Sequence, residues 1–445
     1  MLLVSVCSYI TKLIPLWLLL LAPPLLFPNP IRSIALFGLP SIMLLQKWQN
    51  GYFMRRTRLD WAIFFMLVMT LVSMYATFSI EFSLAKLCGL LFHIVVFYAV
   101  VETVQTKQGF MHSLVLYFML GIAVAGLGLI STKWLFKIPF INDITQQLPL
   151  VIQGIPGAET GISPNQLAGT LIWFFPLQLS LLLCKQTTEV WNDNTYCVME
   201  RQQWFCHTVF KKFCRLTKPF LIIAFSLTIF TFILTQSRGG WVGGLVAMAF
   251  LGAITNKYIR GFVVVCIVAF IVGSSIIGWT TVGNLLVSDS TEAVVGNFNS
   301  LGFRMEVWRV ALQGIADFPF TGMGLGTFRE VARVLYPLNV QPDYDIAHAH
   351  NHFLQTALDL GIVGLIAYTA MWIYSGYMLF HTLRHGQDPF LQAIARGTAS
   401  GLVGYFVYGL TDTIALGAKP SLFLWWLFAF SVGLYSINRI EETKL

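Results

Sequence analysis

Charge is scarce in this sequence. Of 445 residues only 11% are Asp, Glu, Lys or Arg, against about a quarter in a soluble domain. A water-soluble enzyme of this length is thereby excluded. No long hydrophilic stretch interrupts the apolar runs, so no separate soluble domain with its own core is expected. Internal repeats and low-complexity segments are lacking too, which excludes solenoids and arrays. Cysteine is present seven times (Cys7, Cys88, Cys184, Cys197, Cys206, Cys214, Cys266). None falls in a segment assigned below to the outer face, so a disulfide framework is excluded. A basic stripe with interleaved aromatics is also missing. The formal charge of +8 is scattered through short loops, and no nucleic-acid partner is expected. The run 13–27 after Lys12 has the look of a signal peptide but lacks a small-x-small cleavage site, and is read as a retained first span.

What is there is apolar length. Apolar residues make up 56% of the chain, and runs of about 17–25 recur from end to end, each long enough to cross a bilayer as a helix. The expected fold is all-α and polytopic, with about 12 transmembrane helices. The spans are placed at 10–27, 31–47, 60–79, 82–101, 111–131, 165–184, 219–236, 238–255, 261–279, 351–379, 389–410 and 420–437. Pro23, Pro24, Pro28 and Pro30 allow the first two to be a re-entrant pair instead. Lys and Arg set the orientation. With the N-terminus in the cytoplasm, every inner connection from the second span onward is basic, carrying Arg55, Lys107, Lys211, Lys257, Arg384 and Arg439 among others. Both termini are then cytoplasmic. Organisation follows as residues 1–279 with nine spans, a large periplasmic loop at 280–350, and residues 351–445 with spans ten to twelve. The long loop exceeds a connector. Phe303, Val307, Trp308, Ala311, Leu312 and Ile315 recur in it at helical spacing, which predicts an amphipathic helix at the membrane surface.

Polar chemistry collects on the outer face. Gln236-Ser237-Arg238-Gly239-Gly240 falls at the outer hairpin between spans seven and eight. Ser237 is a plausible N-cap, and a helix start beside a guanidinium suits a phosphate. The plainer reading is an arginine anchored at headgroup level. His348-Ala349-His350-Asn351-His352 ends the long loop and opens span ten. An imidazole there suits a general base. His348 and His352 would share a helix face if the helix began early, yet no carboxylate follows at zincin spacing, so no metal is expected. A purely structural role, capping a buried helix end, is the plainer reading. Gly322-Met323-Gly324-Leu325-Gly326 is read as a turn, and Asp343-Tyr344-Asp345 is too short a motif to carry chemistry. Asp412 and Lys419, in the last outer loop, are expected to pair with each other. Lys86, inside a span, is expected to snorkel outward.

Together these residues resemble the O-antigen ligase and polymerase superfamily of bacterial envelope proteins. His350-Asn351, followed by Gly361 and Gly364, is similar to one signature. Ser237-Arg238-Gly239-Gly240 is similar to another, and Ser163-Pro164-Asn165-Gln166-Leu167-Ala168-Gly169 to a third. The resemblance implies a fold like that of lipid-donor glycosyltransferases in the bacterial cytoplasmic (inner) membrane, with a periplasmic active site. It implies transfer of a glycan from a polyprenyl-diphosphate-linked donor to a glycolipid, glycan or protein acceptor, among membrane lipids and with no cofactor. Carried over, Arg238 and His350 are the expected catalytic pair. Arg304 and Arg309, from the surface helix, join Arg238 on the diphosphate, and Asn351, His348 and Asn165 support the site. Ligase and polymerase share these motifs. Phe303-Arg304-Met305-Glu306-Val307-Trp308 also resembles cyanobacterial members labelled as inorganic-carbon transporters, which makes bicarbonate transport the competing expectation on the same fold.

Overall fold

Apolar runs become helices here, some of them capped by a side chain, as by Thr106, Ser237, Asn351 and Asp388. A computed structural model of the chain describes residues 51–134, 137–151, 161–184, 217–277, 300–338 and 346–442, with isolated residues between 21 and 48. The expected spans at 10–27 and 31–47 lie almost wholly outside the described residues, as do the acidic motif at 343–345 and the loop stretch 278–299. Among the described residues the regular structure is helical, with one isolated bridge between Thr132 and Ile162. The first helices are α1 (Asp60–Tyr75), α2 (Ile80–Thr103), α3 (Lys107–Ser131) and the short α4 (Pro139–Thr145). There follow α5 (Pro164–Leu171), α6 (Phe175–Leu183), α7 (Thr217–Leu234), α8 (Arg238–Thr255) and α9 (Lys257–Ile277). The long outer loop contributes α10 (Ser300–Asp317) and α11 (Phe328–Leu335), and α12 (His352–His385), α13 (Pro389–Gly409) and α14 (Leu422–Glu442) close the chain.

Among the described residues, six helical segments are long and apolar enough to cross a membrane: Ile80–Thr103, Lys107–Ser131, Pro164–Leu183, Arg238–Thr255, His352–His385 and Lys419–Ile440. Asp60–Tyr75 and Lys218–Leu234 are apolar but shorter. The chain is thus a multi-pass membrane protein, and length and composition support six of the twelve expected spans. The sixth expected span is one course in two pieces, α5 and α6. Pro176 lacks the N–H that would bond one turn back, and the helix breaks at Ile172–Phe174. Where α13 meets α8, small residues form the contact. A Cβ on Gly404 would stand 2.7 Å from the Gly243 carbonyl, and one on Gly243 would stand 2.7 Å from the Gly404 carbonyl. Only paired glycines let α8 and α13 approach so closely. Large apolar side chains remain exposed on the outer helices, as at Leu245 (70%) and Phe262 (69%), a belt suited to lipid rather than water.

The cap expected at Ser237 forms, and Asn351 supplies a second that the sequence reading did not assign. Ser237 accepts from the Gly240 amide at 3.3 Å and starts α8. Asn351 accepts from the amides of Phe353 and Leu354, both at 3.0 Å, and starts α12. At 34 residues α12 is about 51 Å long by the 1.5 Å rise of an α-helix, but it is not continuous. Gly361 sits at φ 68°, ψ −178° inside it. There the Ile362 amide turns to the Pro319 carbonyl (2.7 Å), and the Leu358 carbonyl takes the Met323 amide (2.7 Å). A side chain on Gly361 would lie 2.5 Å from the Phe320 carbonyl oxygen. This glycine lets the loop between α10 and α11 dock onto backbone that the kink has freed.

α10 carries the expected amphipathic stripe. Phe303, Val307 and Ala311 are buried, Trp308 and Ile315 partly so, and Val310 joins them, whereas Leu312 points outward at 57% exposure. These residues pack with Phe328, Val331, Ala332, Ile346, Ala349 and Leu358 into a small apolar cluster over the start of α12. Lys86 does not behave as expected. Its stem runs along Gly326, where a Cβ would stand 3.1 Å from Lys86 Cγ and 3.3 Å from Cε.

Candidate active site

The loop after α13, from Tyr408 to Thr413, gathers the sequence motifs. The Tyr408 hydroxyl donates to the Asn165 carbonyl at 2.8 Å. A Cβ on Gly239 would meet Thr411 Oγ1 at 2.7 Å, and one on Gly240 would meet the Ala168 methyl at 2.6 Å. Asn351 Nδ2 donates to the Leu410 carbonyl at 3.1 Å, and His352 Nδ1 pairs with Thr413 Oγ1 at 2.9 Å. Segments that begin at 163, 237 and 348 in the sequence thus meet around one loop.

Asp412 stands at the centre, 2% exposed. Its Oδ1 lies 3.4 Å from His350 Nδ1 and 3.8 Å from His348 Nε2, and its Oδ2 lies 3.9 Å from Arg304 Nη2. Burial pushes this carboxyl up. The His350 imidazole 3.4 Å away, with the charges of His350, His348 and Arg304, outweighs burial and holds it down at about 2. His348 moves the other way for its type. Burial first, then the neighbouring His350, lowers it to about 3 against the pull of Asp412. Near neutral pH the loop therefore holds an ionised carboxylate and a neutral His348. The expected pairing of Asp412 with Lys419 is replaced by this set, because α10 brings Arg304 and the turn before α12 brings both histidines onto the carboxylate.

Two residues beside the site have left-handed backbones that side chains rarely adopt: His350 at φ 47° and Gln236 at φ 49°. Each is over-determined by its surroundings. The His350 amide donates to His348 Nδ1 (3.3 Å) and its carbonyl accepts from Trp308 Nε1 (3.3 Å). The His350 ring sits edge-on to Phe303 at 5.5 Å and to His348 at 4.3 Å. Gln236, buried, accepts from the Lys137 and Ile138 amides (3.0 and 2.8 Å) and donates to Asn142 (3.1 Å). It ties the first outer loop to the turn that presents Arg238.

Each expected site residue has a place. His350, His348 and Arg304 converge on Asp412. Arg238 opens α8 one residue before the Gly239–Thr411 contact. Asn165 contributes its backbone carbonyl. Asn351 is spent on capping α12 and bridging to Leu410, so it fixes the His350 backbone rather than its ring. Arg309 is engaged elsewhere, by Glu306 (2.7 and 3.0 Å), Gln313 (3.2 Å) and the Pro337 carbonyl (2.9 Å). His352 does not pair with His348. Both its nitrogens are taken within the core, by Thr413 and by the Tyr368 hydroxyl. Asp412, which the sequence reading paired with Lys419, and Gln236, quoted there only as part of a motif, are the residues whose place at the site that reading missed. Neither belongs to a periodic pattern, and only the tight turn before Ser237 hinted at Gln236. The ligand atoms of His348, His350 and Asp412 lie within 4.8 Å of one another, close enough to hold a metal ion.

Residues 223–369 match the family described as O-antigen ligase. The match covers about a third of the chain. It runs from within α7 to the middle of α12 and so includes Arg238, Arg304, His348 and His350, while Asp412 lies beyond it. An uncharacterized protein of Haemophilus influenzae is 27% identical over 159 residues, which are 33% of this chain and 40% of that protein. The chain thus aligns with well under half the length of that relative.

Proposed function

We propose that the protein transfers a glycan from a polyprenyl-diphosphate-linked donor to an acceptor hydroxyl on the outer face of the bacterial cytoplasmic membrane. The observation that carries the reading is the pairing of His350 with buried Asp412. A carboxylate on Nδ1 fixes the ring's tautomer and leaves Nε2 to take a proton, the division of labour that serves other hydroxyl-activating sites. In this reading the acceptor oxygen attacks the anomeric carbon, the bond from that carbon to the diphosphate oxygen breaks, and the acceptor proton passes to His350 Nε2. Asp412 stabilises the imidazolium that results. The leaving diphosphate is already a stable anion and needs no acid. Arg238 at the start of α8 and Arg304 from α10 bind it and offset the charge it gains. One direct displacement inverts the anomeric configuration.

Two features support this over a metal centre at the same residues. Arg304 Nη2 lies 3.9 Å from the Asp412 carboxylate, and a guanidinium there opposes a second cation between Asp412 and the histidines. The reading also uses the left-handed His350 backbone, which aims the ring at Asp412. Both ligation to another glycan carrier and polymerisation fit the same chemistry. The test is a transfer assay with purified protein, a lipid-diphosphate oligosaccharide and a panel of hydroxyl acceptors, read by NMR of the new linkage. An inverted linkage that vanishes in His350→Ala is the expected result. A retained configuration, or transfer that survives the substitution, overturns the mechanism.

A further inference from the structure

A second cluster of imidazoles and carboxylate stands at the other end of α12, away from Asp412. His381 and His385 are four residues apart and share a helix face, with ring centroids 4.4 Å apart. Glu442, at the end of α14, brings Oε1 to 3.9 Å from His381 Nδ1. One ligand atom from each of the three lies within 4.8 Å of the others. Tetrahedral zinc ligands stand about 3.3 Å from one another, given bond lengths of about 2.0–2.1 Å, so small side-chain rotations bring the three onto one ion.

We propose that His381, His385 and Glu442 bind a divalent transition-metal ion of the zinc class, with a fourth position open to water. The surrounding hydrogen bonds are those of a metal site. His385 Nδ1 lies 3.1 Å from the His381 carbonyl. A carbonyl only accepts, so Nδ1 carries the proton and the lone pair is on Nε2. Metal-binding histidines are oriented in this way. Asn438 Nδ2 donates to Glu442 Oε1 at 2.9 Å and stands 3.5 Å from His381 Nδ1. Asn438 thereby holds Oε1 beside His381 Nδ1, where a proton or a cation between imidazole and carboxylate makes the contact favourable. The third donor, His385, supplies what a metal needs and a lone proton does not. Arg439 takes the other oxygen, Oε2, at 3.4 Å, so Oε1 is the one turned to the histidines. Imidazole donors favour zinc, nickel or copper over magnesium or calcium. A bound ion would latch the last helix, α14, to the end of α12.

The test uses full-length protein in detergent, stripped with chelator and with its thiols alkylated so that Cys197, Cys206 and Cys214 contribute nothing. Zinc binding is then followed by equilibrium dialysis. The expected result is that His385→Ala and Glu442→Gln each bind one equivalent less than wild type. His350→Ala is expected to keep that equivalent, and Asn438→Ala to weaken it about 10–100-fold by loosening Glu442. His385 is exposed, so its replacement leaves the helix packing intact. Equal zinc in wild type, His385→Ala and Glu442→Gln overturns the proposal, as does a wild type that binds none.

Discussion

Replacing Asp412 by Asn keeps the size of the side chain and removes its charge. In the structure that charge faces His350 at 3.4 Å, His348 at 3.8 Å and Arg304 at 3.9 Å. A hydrogen bond to a charged partner contributes about 1.5–3 kcal/mol. If Asp412 acts by stabilising the imidazolium as His350 takes its proton, that much is lost from the transition state. The expected slowing is about 10- to 150-fold at saturating donor, since each 1.36 kcal/mol is tenfold in rate. The assay is release of polyprenyl diphosphate by purified protein, with gel filtration to confirm folding. The two residues act as one unit, so Asp412→Asn added to His350→Ala should cost nothing further. A folded Asp412→Asn variant with activity within threefold of wild type would refute the dyad. So would a double variant slowed by the product of the two single effects.

Arg238→Ala should lower the transfer rate by about 10²–10³, the cost of losing one preorganised donor to a developing charge, whereas Arg309→Ala, whose guanidinium is held by Glu306 and Gln313, should stay near wild type in the same assay. Gly361→Ala places a Cβ 2.5 Å from the Phe320 carbonyl at φ 68°, and should lower thermal stability by about 1–3 kcal/mol, read by a melting curve. Asp412 titrates at about 2 in the fold against 3.8 ordinarily, so its charge stabilises the fold above pH 3.8 by about 2 kcal/mol, a share lost as pH falls through 2. Melting temperatures of wild type and Asp412→Asn should therefore differ most above pH 4 and converge only as pH falls to about 2. His348, lowered to about 3 from 6.5, resists protonation in the fold, so stability should fall as pH drops from 6.5 toward 3, and His348→Asn should flatten that fall.

The helices were legible because each needs only its own sequence. Apolar length, which six of the twelve expected spans bear out, the cap at Ser237 and the stripe on α10 are local signals. Pro176 also announced a break that run length alone concealed. Contacts between distant segments were not legible. Asp412 follows His350 by some sixty residues in a loop without periodicity, and nothing local tells such an aspartate from a solvated one. Assigning Arg309 to the site was avoidable. Residues 304 and 309 are five apart, and at 100° per residue they point about 140° away from each other. Only one of them can face Asp412 from a single helix. Lys86 misled for a related reason, since the space for its stem is made by Gly326, far along the chain.

The central claim is that a histidine–aspartate pair and outer arginines drive glycan transfer from a lipid diphosphate. Its most direct test is release of polyprenyl diphosphate by reconstituted protein in the presence of chelator, in wild type, His350→Ala and Arg238→Ala. Release by wild type that chelator leaves untouched, and that both substitutions abolish, is the predicted result. No release with any donor, together with bicarbonate uptake into proteoliposomes that depends on Arg238, would contradict the account.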